Sequence, residues 1–290
     1  MKRTGLVSAV YWLLSLNLAL IVVAQTAKTD QKTAQSLRET ALRYYNAGEF
    51  EEAIKTLKQA LKLSPDYAEA HNDLGVSFAA LGRHQEALAS FQAALRLSPE
   101  STRFYDNLGA EYYAQGEINL AIQAFQKAIK LDAQNAVAFN NLGATLSAAG
   151  RPKEAIEAYE RAVELKPEWA EAHRNLALAS APADDYDRLF RHLNIAISLR
   201  PDYFEAYNNL GVAHYRKGHH REAVAALRQA IRIKPDYDDA LYNLGLLEAA
   251  AHRRSEALAQ YQKLKVVNPV LAESLYGGIY RGMILNLRNK

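Results

Sequence analysis

The chain has 290 residues, of which 49% are hydrophobic and 23% charged, so it could bury one large core or two ordinary ones. Lys and Arg total 35 against 32 Asp and Glu, a formal net charge of +3, and no Lys/Arg cluster stands out, which argues against nucleic acid as a partner. Cysteine is absent from the sequence, which excludes disulfides, thiolate metal sites and a cysteine nucleophile.

Residues 1–24 have the pattern of an export signal. Two basic residues precede an uncharged stretch over 6–24, and polar sequence follows at once. Small residues before Gln25 predict cleavage between Ala24 and Gln25. The alternative is an uncleaved membrane anchor, because the 19 residues from 6 to 24 are just long enough to cross a bilayer. Either interpretation places the remainder across a membrane, as a periplasmic or secreted protein or one anchored there.

The chain then repeats one phrase at a fixed spacing. NDLGVSFAALG at 72–82 returns as DNLGAEYYAQG at 106–116, NNLGATLSAAG at 140–150 and NNLGVAHYRKG at 208–218. The starts differ by 34, 34 and 68 residues, and the missing copy survives in degraded form as RNLALASAPAD at 174–184. A fixed period of this length indicates stacked units that share a continuous core. We therefore expect a polar linker over 25–33 followed by seven units, 34–67, 68–101, 102–135, 136–169, 170–203, 204–237 and 238–271.

Each unit is predicted to form two helices. In the unit 136–169, Leu142 and Leu146 recur at helical spacing, and Gly150 marks a turn before a second helix that Pro167 ends. Small residues such as Gly143 are expected where the two helices cross. Such a hairpin cannot cover its own apolar face, so it must stack on its neighbours.

These residues resemble the tetratricopeptide repeat. Its pattern of Leu-Gly, small residue, aromatic and closing Pro is matched by Leu142-Gly143, Ala155, Tyr159 and Pro167, and by similar residues in the other units. The resemblance implies an all-α, right-handed superhelical solenoid of seven helix-turn-helix repeats that binds other proteins. It also implies a C-terminal capping helix over 272–290, whose Leu275, Ile279 and Ile284 would cover the last hairpin. The alternative for this segment is self-association, since Tyr280, Met283 and Leu287 add apolar surface.

The unit 170–203 departs from the pattern. Ala177 replaces the glycine, Leu189 takes the position of the small alanine, and Pro182 is predicted to interrupt the first helix. Two interpretations are open, a tolerated local repacking or a partner-contacting bend at 180–187. Asp184 or Asp185 would then cap the second helix.

No catalytic motif is recognisable. His71 and His173 occupy a large-residue position of their first helices, where a half-buried ring has a structural use. The pair His219 and His220 lies in a turn with no third ligand at metal spacing. The sequence has no phosphate loop, nucleophile elbow or zinc-protease signature, so we expect a protein that is not an enzyme and uses no cofactor or metal.

The predicted binding surface is one side of the first helices. Positions are counted from the first residue of each unit. Positions 4, 7, 8 and 11 face the core, whereas positions 2, 6, 9 and 13 lie opposite, and we call the latter set the groove face. It carries a row of amides at position 6, apolar residues at position 9 and six acidic residues. The residues predicted to bind peptide are Asp73, Val76, Arg103, Asn107, Asn141, Asn175, Asn209, Val212, Arg216 and Asn243.

The amide row is expected to face solvent and to bind the backbone of an extended peptide. It is similar to the ladder in the repeat domain of O-linked N-acetylglucosamine transferase, although asparagine is also common here throughout the family. The acids Glu69, Glu205 and Asp239 favour neutral or basic segments, and no unit supplies the basic pair of a carboxylate-binding co-chaperone. The sequence thus predicts a protein-interaction scaffold of the cell envelope or secreted space. The alternative is a membrane-tethered regulatory or docking subunit of an envelope enzyme, transporter or secretion complex.

Overall fold

The computed structural model of the protein describes residues 25, 26 and 28–281, and it contains no strand in these residues. The all-α prediction is confirmed. The predicted signal at 1–24 lies outside the described residues. The helices are α1 (28–46), α2 (Phe50–Leu63), α3 (Ala68–Ala80), α4 (His84–Leu97), α5 (Thr102–Ala114), α6 (Ile118–Leu131), α7 (Ala136–Ala148), α8 (Pro152–Leu165), α9 (Ala170–Ser180), a 3-10 helix (Ala181–Ala183), α10 (Tyr186–Leu199), α11 (Phe204–Arg216), α12 (His220–Ile233), α13 (Asp238–Ala250), α14 (Arg254–Val267) and α15 (Pro269–Arg281).

These helices form seven hairpins followed by α15. From α3 onward, every first helix begins at the first position of its 34-residue unit, as the repeat predicts. The hairpins group into two compact parts: the N-terminal part holds α1–α6 and ends at Ala133, and the C-terminal part holds α7–α15 and begins at Gln134. None of the described helices has the length and apolar character needed to cross a bilayer.

Glycine and proline have distinct roles in each hairpin. Gly150 has a φ of 70° in the turn between α7 and α8, a left-handed conformation that other residues adopt at a cost. A Cβ on Gly143 would lie 2.8 Å from Cδ1 of Tyr159, so the predicted close helix crossing is confirmed. Lys166, which precedes Pro167, has an extended backbone that ends α8.

The unit 170–203, which departs from the repeat pattern, still forms a hairpin, but its turn is modified. The helix α9 ends at Ser180, and the 3-10 helix that contains Pro182 follows it. Asp184 adopts a left-handed conformation with a φ of 55°, at the turn position where five other hairpins have glycine. Asp185 caps α10 by accepting a hydrogen bond from a backbone N–H at 3.0 Å, which confirms one of the two predicted caps.

Two predicted boundaries are wrong. Residues 28–33, expected in a polar linker, belong to α1 because no Gly or Pro interrupts 25–46 and Ala34 is fully buried. The capping helix begins at Pro269 instead of 272, since proline fits the first turn of a helix. Within it Leu275 is fully buried, as expected of a cap. Residues 282–290, including Ile284, lie outside the described part of the chain.

Candidate functional site

The groove face is less exposed than the sequence predicts. Asn209 and Asn243 are 2% and 0% exposed, and Asp73 is also buried. Asn107, Asn141 and Asn175 are half-buried, as is Val76, whereas Val212 is buried and Arg103 and Arg216 are exposed. The expectation that the whole amide row faces solvent is therefore wrong.

Hydrogen bonds between repeats explain this burial. The amide at position 6 of one unit donates to the amide at position 5 of the preceding unit, 35 residues earlier, and we call this contact the inter-repeat link. Its Nδ2–Oδ1 distances are 2.8 Å for Asn107–Asn72, 3.1 Å for Asn175–Asn140 and 2.9 Å for Asn243–Asn208. The first role of these three amides is thus to hold adjacent hairpins together.

The first inter-repeat link is ionic. Arg38, at position 5, approaches Asp73, at position 6 of the next unit, with Nε 2.6 Å from Oδ2. The guanidinium of Arg103 lies 3.7 Å from the other carboxylate oxygen of Asp73. Two cations therefore neutralise Asp73, which does not contribute to an acidic groove as the sequence analysis assumed.

The inter-repeat link is absent at Asn209. Position 5 of the preceding unit is Arg174, and a guanidinium offers no acceptor to an amide N–H. Both Nδ2 and Oδ1 of Asn209 are buried without a hydrogen-bond partner among the described residues, and so is Nδ2 of the neighbouring Asn208. Leaving a buried polar group unpaired costs about 1–3 kcal/mol. Asn209 therefore differs from Asn107, Asn175 and Asn243, which the sequence did not reveal.

The acids of the C-terminal groove face are not equivalent. Glu171 forms an ion pair with Arg200. Glu205 is half-buried and has no ion-pair partner among the described residues, and Asp239 is 2% exposed. Of these three acids, only Glu205 is left to give this surface acidic character.

The histidines at the large-residue position have structural contacts. Nε2 of His173 donates to the carbonyl of Pro167 at 2.9 Å, so its Nδ1 accepts from Nδ1 of His192 at 2.8 Å. Burial, helped by the neighbouring His173, lowers the pKa of His192 to about 4. His71 repeats the contact on Pro65 at 2.9 Å, which agrees with the predicted structural use. Among the described residues, no cluster of His, Cys, Asp and Glu could hold a metal ion.

The partners at position 5 are the residues that sequence analysis missed. Asn72, Asn140 and Asn208 recur 35 residues before an asparagine of the amide row. That offset of 35 is one residue longer than the repeat. An alignment of equivalent positions therefore does not show these pairs, which appear only when position 5 of one unit is compared with position 6 of the next.

Apolar surface is exposed near the C-terminal helix. Val266 and Val270 are 85% and 84% exposed, and Tyr280 is 45% exposed. Self-association through this region stays a prediction, and Met283 and Leu287 lie outside the described residues.

Comparison with known families agrees with the repeat pattern. Sequence models described as "Tetratricopeptide repeat" match residues 38–102 and residues 136–168. A further model, described as "TPR repeat", matches residues 109–150, 191–218 and 215–249. No curated protein matches the chain in sequence.

Several solved structures share the fold. A tetratricopeptide repeat protein from Parabacteroides merdae is 20% identical, with a TM-score of 0.66 over 84% of this chain and 97% of that one. The pilF protein of Pseudomonas aeruginosa is 20% identical, with a TM-score of 0.64 over 71% of this chain and 94% of that one. YrrB, described as a TPR protein with an unusual peptide-binding site, is 25% identical, with a TM-score of 0.51 over 62% of this chain and 93% of that one.

Proposed function

Because this chain belongs to the tetratricopeptide repeat family and shares the fold of its scaffold proteins, we propose that it is an exported protein-interaction scaffold that binds extended peptide segments on its groove face. The similarity to YrrB, a protein described as having a peptide-binding site, supports this choice. Neutral or basic segments are the preferred ligands.

The observation that carries the proposal is on α11. Glu205 is half-buried on the groove face and has no side-chain partner among the described residues. An extended peptide supplies N–H and C=O groups that the half-buried amides of Asn141 and Asn175 can bind, and a Lys or Arg of the peptide would pair with Glu205. The unpaired carboxylate of Glu205 is thus a group that a basic extended segment would satisfy.

Crosslinking in the native cells, followed by mass spectrometry, would identify the partner. We then expect Glu205→Lys to reduce capture of that partner about tenfold or more, because it replaces attraction by repulsion at the binding surface. Glu157→Lys is the matched control, since Glu157 is exposed on the second helix α8, away from the groove face. Equal losses for the two variants, or no loss for either, would contradict binding at the groove face.

The location of the protein is a separate part of the proposal. Residues 1–24 support export, and mass spectrometry of the mature protein should find Gln25 as its first residue. Recovery of an intact N-terminus in the membrane fraction would contradict cleavage. It would favour the alternative, a membrane-tethered docking subunit.

A further inference from the structure

A second contact between repeats lies outside the groove face, at the start of the second helices. It involves position 18 of one unit and position 16 of the next. Between the first two hairpins these positions hold Glu51 and Arg83, whose Oε1 and Nη1 atoms are 3.4 Å apart. Between the last two hairpins they hold Arg221 and Arg253, which line one cavity of about 420 Å³. At the last junction an arginine therefore takes the place of the carboxylate.

This pairing of two permanent cations differs from the other junctions inside the two compact parts. There, positions 18 and 16 combine opposite charges or include a neutral side chain or a histidine. These pairs are Gln85 with Glu117, Lys153 with Asp185, and Asp187 with His219. Because like charges repel each other, an anion between Arg221 and Arg253 would stabilise the last junction.

The fold supplies few carboxylates to the arginines of this cavity. Arg221 is exposed and has no ion-pair partner among the described residues. Nε of Arg253 lies 2.5 Å from Oε2 of the buried Glu248, but Arg228 shares this carboxylate, and the side chain of Arg253 stays 47% exposed. The other acid near these arginines is Glu256, which accepts a hydrogen bond from the adjacent serine at 2.7 Å. Both carboxylates are thus already engaged, and Arg221 remains available to a ligand.

We propose that the cavity between Arg221 and Arg253, which we call the arginine-pair site, binds a carboxylate side chain from an acidic segment of a partner protein. The first junction shows that an arginine at position 16 binds a carboxylate in this place. The cavity is also lined by His220, whose ring can donate a hydrogen bond, and by Val224 and Ala251, which suit the methylene groups of a glutamate. The site lies on second helices, so it is separate from the groove face and takes a ligand of opposite charge.

An anionic membrane surface fits this site less well than a single side chain does. The turn of the preceding unit, on the same edge of the C-terminal part, carries Asp184 and Asp187, which are both exposed. A flat anionic surface that reached Arg221 and Arg253 would meet these carboxylates too and be repelled. A side chain that enters the cavity avoids this repulsion.

The test measures binding of a fluorescent hexaglutamate peptide to the full chain by anisotropy. Arg221→Ala should weaken binding about fivefold or more, because charged hydrogen bonds to a carboxylate are lost. The matched control is Lys153→Ala, which removes one positive charge from position 18 of another unit, where the next unit supplies Asp185 at position 16. This control should change binding less than twofold. Circular dichroism of both variants would establish that their helices are retained.

A charge reversal provides a second test. Arg221→Glu gives the last junction the charges of the first, so Arg253 gains a partner inside the protein. We expect this variant to lose hexaglutamate binding and its melting temperature to rise by about 1–4 °C, because an exposed ion pair replaces a repulsive contact. A folded variant that does not bind separates loss of the site from loss of the structure.

Three outcomes would overturn the proposal. The first is unchanged affinity of Arg221→Ala, and the second is an equal loss of affinity in Lys153→Ala. The third is a preference for phosphate groups, seen as displacement of the peptide by millimolar inorganic phosphate or as tighter, Arg221-dependent binding to phosphatidylglycerol vesicles. None of these results depends on Glu205, so the function proposed for the groove face is tested separately.

Discussion

The inter-repeat link between Asn107 and Asn72 should be a measurable part of the stability of the protein. Asn107→Ala removes the donor and leaves Oδ1 of Asn72, a residue that is 1% exposed, without its 2.8 Å hydrogen bond. A buried acceptor that loses its partner costs about 1–3 kcal/mol. Because a protein of this size loses about 2–4 °C per kcal/mol, we expect the melting temperature to fall by about 2–12 °C.

Thermal and urea unfolding, followed by circular dichroism, would measure this effect. Asn119→Ala is the matched control, since Asn119 is exposed on α6 in the same part of the chain, and the melting temperature of this variant should stay close to that of the parent. A double-mutant cycle of Asn72→Ala and Asn107→Ala isolates the pair, with an expected coupling of about 0.5–1.5 kcal/mol. Equal melting temperatures for the Asn107 and Asn119 variants would refute the structural role of the link.

Three further predictions concern other contacts. Arg253→Ala should destabilise the protein by about 1–3 kcal/mol, because it removes one of the two arginines that form ion pairs with the fully buried Glu248. Arg151→Ala at the equivalent position should cause little change, since its partner is exposed. His192, with its pKa lowered to about 4, stays neutral in the fold while the unfolded chain gains a proton below about pH 6.5. Stability should therefore fall as the pH drops from 6.5 towards 4, and His192→Gln should reduce that fall in thermal melts. Gly143→Leu should cost about 1–3 kcal/mol through overpacking, and an unchanged melting temperature would show that the crossing can relax.

The repeat made the hairpins predictable because each helix boundary has its own local signal. The turn glycine, the closing proline and the apolar spacing recur with the period of 34 in most units, and Pro182 indicated the modified turn of the unit 170–203. The linker over 25–33 was predicted wrongly because polar composition alone does not end a helix when neither Gly nor Pro is present.

The site was less predictable, because a position-by-position alignment of repeats hides contacts between them. Asn175 and Asn209 are equivalent in the repeat, yet only Asn175 has an acceptor, since Asn140 precedes it by 35 residues while Arg174 precedes Asn209. The same residue type is therefore a structural contact in one unit and an unsatisfied amide in the next. Asp73 was counted as an acid of the groove face for a related reason. The two arginines that neutralise it belong to the neighbouring units, so they are not seen when one unit is considered alone.

The ionic character of the first inter-repeat link also bears on how the hairpins find their order. Repeats of similar sequence can dock on the wrong neighbour during folding and form misassembled states. A displacement by one unit would set Asn107 against Arg38, and the buried Asp73 would lose the nearer of its two counter-ions. Loss of a close counter-ion from a buried carboxylate is more costly than loss of an amide contact. The ion pair between Arg38 and Asp73 therefore distinguishes the first junction between hairpins from the later ones and disfavours docking of the first hairpin on the wrong neighbour.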